Sequence, residues 1–334
     1  MFIKPISNYG RRVMEKFLIS GLTITLFYGI PFSIFLTAVL SFYTSFWPFV
    51  LIYVAWIFTF DRTTCEIGGR ASFRLRGFHE HYFRMFPLTY ETDEDVQLHP
   101  NKNYLFCCYP HGIVPYASIV LFISNVSSGF SKLFPHHSYR LVTLKQLFYI
   151  PFLREIMLES GVCSASRKSL SFLLGNNTGG NAVGLIVGGA EEALHARSGD
   201  YHIILNNRKG FIRIALENGS PIVPVFSFGA NDIHKQLHNR YILAFQKVIK
   251  RLTGISPIIL QGRGFFQDIF GIVPFKSPIN TIVGKPIEVE RLVNPTEQQV
   301  DELHQKFAEE LTCLFNKYKM KYVSDPEQVN LIIH

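Results

Sequence analysis

A run of 43 residues, from position 18 to position 60, contains no Asp, Glu, Lys, Arg or His, and it limits the fold more than any other part of the sequence. Such a run is typical of a segment that is buried in a membrane. As one straight helix it would extend about 65 Å, roughly twice the hydrocarbon thickness of a bilayer. We therefore predict a membrane hairpin, with its turn at residues 41–48, where aromatic and small polar residues precede a proline.

Basic residues lie on both sides of this run. They are Lys4, Arg11, Arg12 and Lys16 before it and Arg62, Arg70, Arg74, Arg76 and Arg84 after it. Because cytosolic flanks of membrane segments are enriched in Lys and Arg, both ends of the hairpin are predicted to face the cytosol. A secretory signal peptide would have an apolar region of only about 7–15 residues, which disfavours that alternative. The second arm is short for a full span, so a re-entrant hairpin in one leaflet remains an alternative.

The overall composition excludes several classes of protein. Hydrophobic residues make up 48% of the chain, charged residues make up only 17%, and Phe alone occupies 31 positions. This composition is unlike that of a disordered chain, and we predict no nucleic-acid partner although the formal net charge is +8. The five cysteines have no regular spacing and form no Cys-x-x-Cys pair, which argues against a disulfide framework and against a zinc ribbon.

The chain divides into five predicted segments. Residues 1–17 form a basic cytosolic N-terminus, residues 18–60 the hydrophobic membrane hairpin, and residues 61–102 a charged, irregular linker or covering segment. Residues 103–322 form an α/β domain, because short apolar runs alternate there with helical patterns, and residues 323–334 form a C-terminal tail. A helix is predicted after Pro295 with Asn294 as its cap, and its apolar stripe is predicted to pack on the core, with a membrane surface as the alternative.

Three strand-like runs of this domain end in segments that carry polar or small residues. Residues 104–109 precede Pro-His-Gly, residues 181–187 precede Gly-Gly-Ala-Glu-Glu, and residues 221–228 precede Gly-Ala-Asn-Asp. In α/β folds, ligands bind at the carboxyl ends of the strands, so we predict that these three ends form the site. Residues 211–218 between them are predicted to form a helix that Gly219 ends.

His111 is the strongest candidate for acid–base chemistry, because a histidine titrates near neutrality and can take the proton of an attacking hydroxyl. On spacing alone, a hydrogen-bonded loop histidine remains the alternative. There is no nucleophile elbow and no phosphate-binding loop, and Gln267 stands where a dinucleotide motif would have its third glycine. His234 and His238 are four residues apart but have no intervening Glu, so we predict no metal site.

Five motifs, taken in order, resemble those of one enzyme family. They are Tyr-Pro-His-Gly at 109–112, Pro-Phe-Leu-Arg-Glu at 151–155, Gly-Gly-Ala-Glu-Glu-Ala-Leu at 188–194, Arg-Lys-Gly-Phe at 208–211 and Pro-Ile-Val-Pro-Val-Phe-Ser-Phe-Gly at 221–229. The set closely resembles the acyl-CoA:diacylglycerol acyltransferase type 2 family, which includes monoacylglycerol and wax-alcohol acyltransferases. The resemblance extends from the hairpin to about Lys319.

The resemblance implies an α/β glycerolipid-acyltransferase-like domain that moves a fatty acyl group from acyl-CoA to a hydroxyl of a neutral lipid. Diacylglycerol is the first choice of acceptor, followed by monoacylglycerol and then by a long-chain alcohol. Acyl-CoA is a substrate, and no cofactor is expected. The implied location is the endoplasmic reticulum membrane with the catalytic domain in the cytosol, or lipid droplets, and a homo-oligomer is compatible with it. A noncatalytic lipid-binding protein and a lipid hydrolase are the alternatives.

The resemblance also implies roles for individual residues. His111 carries the proton chemistry, while Tyr109 replaces the first histidine of the family motif. Glu192 is expected to bind the second imidazole nitrogen of His111, with helix capping as the alternative. Gly112, Gly188 and Gly189 are expected to allow close backbone approach and to offer an amide to the oxyanion, or only to form tight turns. Coenzyme A phosphates are expected to bind Arg197, Arg208, Lys209 and Arg213, for which a basic face that is solvated or rests on anionic lipid is the alternative.

Overall fold

The computed structural model describes residues 21, 28–70, 88–94, 96–123, 130–237, 239–255, 257–264 and 271–334. Several predictions fall on other parts of the chain. The basic N-terminus at 1–17, most of the first ten residues of the hairpin, the flanking Arg74, Arg76 and Arg84, and also His238 and Gln267 lie outside the described residues.

The uncharged N-terminal run forms two helices. Helix α1 includes residues 28–42 and helix α2 comprises Trp47–Thr59, with Pro48 in its first turn. The break between them falls inside the predicted turn at residues 41–48. Within the described ranges, no helix combines the length and the hydropathy that crossing a bilayer requires.

A seven-stranded mixed sheet forms the centre of the α/β domain. Its strands are β1 (Leu88–Thr92), β2 (Tyr104–Tyr109), β3 (Ser138–Thr143), β4 (Cys163–Ser164), β5 (Asn181–Ile186), β7 (Ile222–Phe228) and β10 (Ile279–Val283), in the order β1-β10-β7-β2-β5-β3-β4. The five strands from β7 to β4 are parallel, and β10 runs antiparallel to β7. Two short pairs join β6 (His202–Ile203) to β11 (Ile332–Ile333) and β8 (Lys235–Gln236) to β9 (Leu260–Gln261).

Helices cover both faces of this sheet. They are α3 (Tyr116–Ile123), α4 (Phe130–Leu133), α5 (Leu153–Glu159), α6 (Arg167–Leu174), α7 (Gly189–His195), α8 (Gly210–Asn218), α9 (Arg240–Thr253) and α10 (Glu297–Tyr322). Alternate residues of β2 point to opposite faces, so Phe106 belongs to the core under α3 and Cys107 to the core under α8 and α10. All six residues of β2 are buried, as expected of a central parallel strand.

The structure confirms the α/β prediction and the predicted end of α8, and it differs from the sequence predictions in three details that concern α10, the segment 61–102 and the tail 323–334. Gly219 ends α8 in the left-handed conformation, at a φ of 64°, as predicted. The cap of α10 is Thr296 rather than Asn294, because Thr296 and Gln299 form a reciprocal capping box. The segment at 61–102 is more than a linker, since its residues 88–92 form strand β1. The tail at 323–334 contributes strand β11, which pairs with β6.

The Pro-Phe-Leu-Arg-Glu motif joins helix α2 to the α/β domain. Arg154 is 1% exposed, and its guanidinium binds the carboxylate of Asp61, just beyond α2, and that of Glu155. The Tyr53 hydroxyl on α2 donates to Glu155 at 2.9 Å and accepts the backbone N–H of Phe152 at 3.1 Å. The motif therefore has a structural role, which is to hold the end of the apolar segment.

Candidate active site

The three strand ends that the sequence singled out lie side by side. Strand β2 lies between β5 and β7 and is parallel to both, so the segments that follow these strands emerge at the same edge of the sheet. Gly112 packs closely on the segment after β7, where a β-carbon at Gly112 would lie 3.2 Å from the Ala230 carbonyl oxygen. Glu192, after β5, contacts His111, after β2. The predicted gathering of the three ends is therefore confirmed.

His111 is half-buried and has one ring nitrogen free. Its Nδ1 lies 2.9 Å from the carbonyl oxygen of Gly112. A carbonyl can only accept a hydrogen bond, so Nδ1 carries a proton, and in the neutral ring Nε2 is the unprotonated nitrogen. No described residue offers Nε2 a partner. Burial lowers the pKa of His111, against the smaller opposing effect of the bond to Gly112. The imidazole is therefore neutral at pH 7 and able to accept a proton.

Glu192 is buried beneath the histidine loop, where it is 3% exposed. One carboxylate oxygen accepts the backbone N–H of His111, and the other accepts that of Ile204 at 3.0 Å. Burial raises the pKa of Glu192 to about 7, although these two bonds favour the ionised form. The predicted bond to the imidazole is wrong, because α7 brings the carboxylate to the loop backbone and Gly112 already holds Nδ1. Neither bond is to an amide of α7, so Glu192 makes no capping hydrogen bond, although it lies in the first turn of that helix, where a carboxylate suits the positive end of the dipole.

Glycines allow these close approaches. A β-carbon at Gly188 would collide with the Glu192 carboxylate, so the buried acid requires glycine there. Gly112 has a φ of 66°, in the left-handed region that favours glycine. Its N–H has no acceptor among the residues that the structure describes and remains available to a ligand. Gly189, at the start of α7, also has a positive φ, of 61°.

The four cations expected to bind coenzyme A occupy different surroundings. Arg208 Nη2 lies 3.3 Å from Glu191, and its charge lowers the pKa of the neighbouring Glu192. Arg197 is exposed, with no ion pair to any described residue. Two others pair with the first turns of α10. They are Lys209, 2.6 Å from Asp301, and Arg213, 2.5 Å from Glu297. The structure therefore brings Arg208 to the site but ties Lys209 and Arg213 to another helix.

Asn231 is a site residue that sequence reasoning did not single out within its Gly-Ala-Asn-Asp segment. It is 7% exposed, and its amide group donates to the Asp200 carbonyl at 2.8 Å. Its Oδ1 is buried with no partner in the described part of the chain and would lie 3.4 Å from a β-carbon at Gly112. A buried acceptor without a partner is costly unless a ligand satisfies it. Its position directly after β7 was the only signal in the sequence.

Buried residues of β2 next to the site are structural. Tyr109 packs in the core with its ring centroid 6.4 Å from that of Phe307 on α10, and burial raises its pKa. Burial also raises the pKa of Cys108 to about 12 and raises that of Cys107. Because the thiolate is the nucleophilic form, neither cysteine is suited to covalent catalysis.

The fold and the site define an α/β enzyme with a neutral histidine at the carboxyl edge of its central parallel strand. The chain belongs to the diacylglycerol acyltransferase family, whose model matches residues 39–334. It is therefore an acyltransferase.

Three relatives are named for different acceptors. The chain is 40% identical over 294 residues to diacylglycerol O-acyltransferase 2 of Dictyostelium discoideum, covering 86% of this chain and 87% of the relative. It is 38% identical to 2-acylglycerol O-acyltransferase 1 of Bos taurus, covering 86% of each chain. It is 33% identical to acyl-CoA wax alcohol acyltransferase 2 of Homo sapiens, covering 87% of this chain and 88% of the relative.

Proposed function

We propose that this protein transfers a fatty acyl group from acyl-CoA to the hydroxyl of diacylglycerol and forms triacylglycerol. The observation that carries the proposal is the neutral His111 with a free Nε2 in a chain of this family. Diacylglycerol is ranked first as the acceptor because the diacylglycerol relative is 40% identical, against 38% for the 2-acylglycerol relative and 33% for the wax-alcohol relative.

The reaction proceeds by direct transfer. Nε2 of His111 takes the proton of the acceptor hydroxyl while the hydroxyl oxygen attacks the thioester carbonyl carbon. The tetrahedral intermediate collapses, the carbon–sulfur bond breaks, and the imidazolium returns the proton to the leaving thiolate, which departs as coenzyme A. A positioned general base contributes about 10²–10⁴-fold, so juxtaposition of the two lipids supplies much of the remaining acceleration.

Two groups support the base. Glu192 is a positioning residue, because it fixes the backbone of the loop that carries His111 rather than touching the ring. The N–H of Gly112 is the candidate oxyanion donor, since it lies beside the base and lacks a described acceptor. Asn231 Oδ1 offers an additional acceptor to a substrate N–H or O–H at the same place.

For coenzyme A, we assign Arg208 and Arg197 and withdraw the assignment from Lys209 and Arg213. An arginine can bind a phosphate through two parallel hydrogen bonds. Lys209 and Arg213 have carboxylate partners on α10 that a phosphate would have to displace. Arg208 has only a long contact of 3.3 Å to Glu191, and Arg197 has none to a described residue.

The same proposal includes the location of the enzyme. The 43-residue uncharged run is proposed to insert in the endoplasmic reticulum membrane as a hairpin, with both termini and the α/β domain in the cytosol. The exposed apolar side chains of α2 and of the residue that ends it support this, since Phe49 and Ile52 of α2 are 67% and 68% exposed and Phe60 is 84% exposed. Relocation to lipid droplets and homo-oligomerisation are compatible with it.

The experiment offers each acceptor separately to microsomes that contain the protein, together with labelled oleoyl-CoA. Diacylglycerol, monoacylglycerol and hexadecanol are compared, and the products are separated by thin-layer chromatography. We expect labelled triacylglycerol as the main product. A preference for monoacylglycerol or hexadecanol would show that diacylglycerol is not the main acceptor. Labelled free fatty acid formed without an acceptor would favour hydrolysis. No product from a folded protein would leave lipid binding as the function.

A further inference from the structure

Helix α9 exposes a continuous apolar stripe. Its large apolar side chains Tyr241, Phe245, Val248 and Leu252 are 68%, 62%, 56% and 76% exposed. At 3.6 residues per turn, these four positions lie within about 60° of one another around the helix axis. A soluble helix normally turns such a stripe toward the core, so this one lacks a partner within the described structure.

The opposite side of α9 fixes the helix to the protein beside the site. Gln246 is 1% exposed, and its amide donates to the Pro257 carbonyl at 2.8 Å. Lys250 pairs at 3.2 Å with Glu191 of α7, the helix that also carries Glu192. The apolar stripe is therefore presented outward from a helix that is anchored next to the active site.

The charges of α9 indicate what covers the stripe. The helix has four basic residues and no Asp or Glu. Arg240, Lys247 and Arg251 are exposed, and at 100° per residue they form a separate face about 110° around the helix axis from the centre of the stripe. Basic residues next to a bulky apolar face are typical of helices that lie in a membrane interface, whereas protein–protein interface cores are depleted in Lys.

One short element, the 3-10 helix Lys145–Tyr149, contacts both α2 and the end of α9. The ring of Tyr149 stacks on Phe58 of α2 with centroids 5.6 Å apart. Gly254, which ends α9, lies against Gln146, where a β-carbon at Gly254 would stand 3.3 Å from Nε2. Helix α2 and the C-terminal end of α9 are therefore both packed against this 3-10 helix.

We propose that α9 is a second membrane contact, lying in the bilayer interface with its apolar stripe among the acyl chains and its basic residues at the phosphates. The occupant of the stripe is a phospholipid surface. This contact places α7 and the histidine loop at the bilayer, so that an apolar acceptor reaches His111 without crossing water. The contact requires neither a particular acceptor nor a hairpin that spans the bilayer.

The test compares two labelled positions on the same helix. In a Cys313→Ser background, which removes the exposed cysteine and leaves four buried ones, Leu252→Cys or Lys247→Cys is labelled with the environment-sensitive fluorophore NBD. Both native side chains are exposed, but they point about 140° apart. The full-length protein is reconstituted in phosphatidylcholine–phosphatidylserine vesicles, with or without lipids that carry a nitroxide quencher on the acyl chain.

We expect the label at 252 to be quenched by the acyl-chain nitroxide severalfold more than the label at 247, and to be protected from aqueous iodide. Equal iodide quenching at both positions would overturn the proposal. Protection at 252 without nitroxide quenching would also overturn it and would identify a protein partner, or a second copy if the protection fell on dilution. The measurement needs no turnover. The membrane contact of α9 can therefore fail this test while acyl transfer is intact, and it can pass the test while acyl transfer is absent.

Discussion

Replacing Glu192 by Gln tests whether a buried carboxylate holds the histidine loop. The carboxylate accepts two backbone N–H groups, from His111 and Ile204, whereas Gln has a single acceptor oxygen and turns a donor toward the second N–H. One buried N–H left without an acceptor costs about 1–3 kcal/mol. The displaced loop is expected to lower kcat about 10- to 100-fold with little change in KM for acyl-CoA.

The same substitution also changes how the free energy of unfolding depends on pH. Burial raises the pKa of Glu192 to about 7, well above the ordinary value of a glutamate, so the folded protein holds this proton more tightly than the unfolded chain does. The corresponding stability is therefore greatest in acid and is lost as the pH rises through 7, by about 2 kcal/mol between pH 5.5 and pH 8. Gln does not titrate. The difference in the free energy of unfolding between wild type and Glu192→Gln should therefore become smaller as the pH rises from 5.5 to 8.

The assay is thermal unfolding of the purified protein at pH 5.5, 7 and 8, combined with initial rates. Glu191→Gln is the matched control, because Glu191 is the preceding residue of the same helix but its side chain is 45% exposed and makes only surface ion pairs. The reasoning would be refuted if the gap for Glu192→Gln stayed constant with pH, or if both Gln variants had the same kcat.

Three further predictions concern other contacts of the domain. Arg154→Ala should destabilise the fold by about 3–5 kcal/mol, because it leaves a buried carboxylate beyond α2 with fewer partners, and an unfolding shift below about 1 kcal/mol would contradict this. Gly188→Ala should reduce activity at least about 10-fold, because the new methyl group meets the buried carboxylate of Glu192. Gly210→Ala is the control, because a β-carbon there has no atom within 4 Å and should not change the rate. Equal rates for the two variants would refute the close packing of Gly188 on Glu192. Arg208→Ala should raise KM for acyl-CoA about 10-fold and Lys209→Ala should not, and the opposite ranking would reassign the phosphate contact.

The central strands and their ends were predictable because buried parallel strands appear as short, continuous apolar runs. Strand β2 is buried along its whole length, and the predicted runs at 181–187 and 221–228 correspond to β5 and β7. Strand β1 was missed because it lies at the edge of the sheet and carries polar residues such as Thr89 and Glu91, which give no apolar run.

The chemistry of the site was only partly readable. The sequence indicated that His111 and Glu192 would meet, but whether the carboxylate reaches the ring or the backbone depends on the placement of α7, which no local pattern encodes. For the same reason, it could not separate Arg208 from Lys209, since their partners are on different helices. The cap of α10 was readable as the Thr-x-x-Gln box, but the preceding Pro295 drew the prediction two residues too early.

The most direct test of the catalytic claim compares microsomes with wild type, His111→Ala or His136→Ala at matched expression, in an assay of oleoyl transfer to diacylglycerol. His136 is an exposed histidine outside the site and serves as the control. The account predicts that His111→Ala loses at least about 100-fold in rate while His136→Ala stays near wild type. A folded, membrane-bound His111→Ala protein that kept the wild-type rate would contradict it, because no base would then be needed at that position.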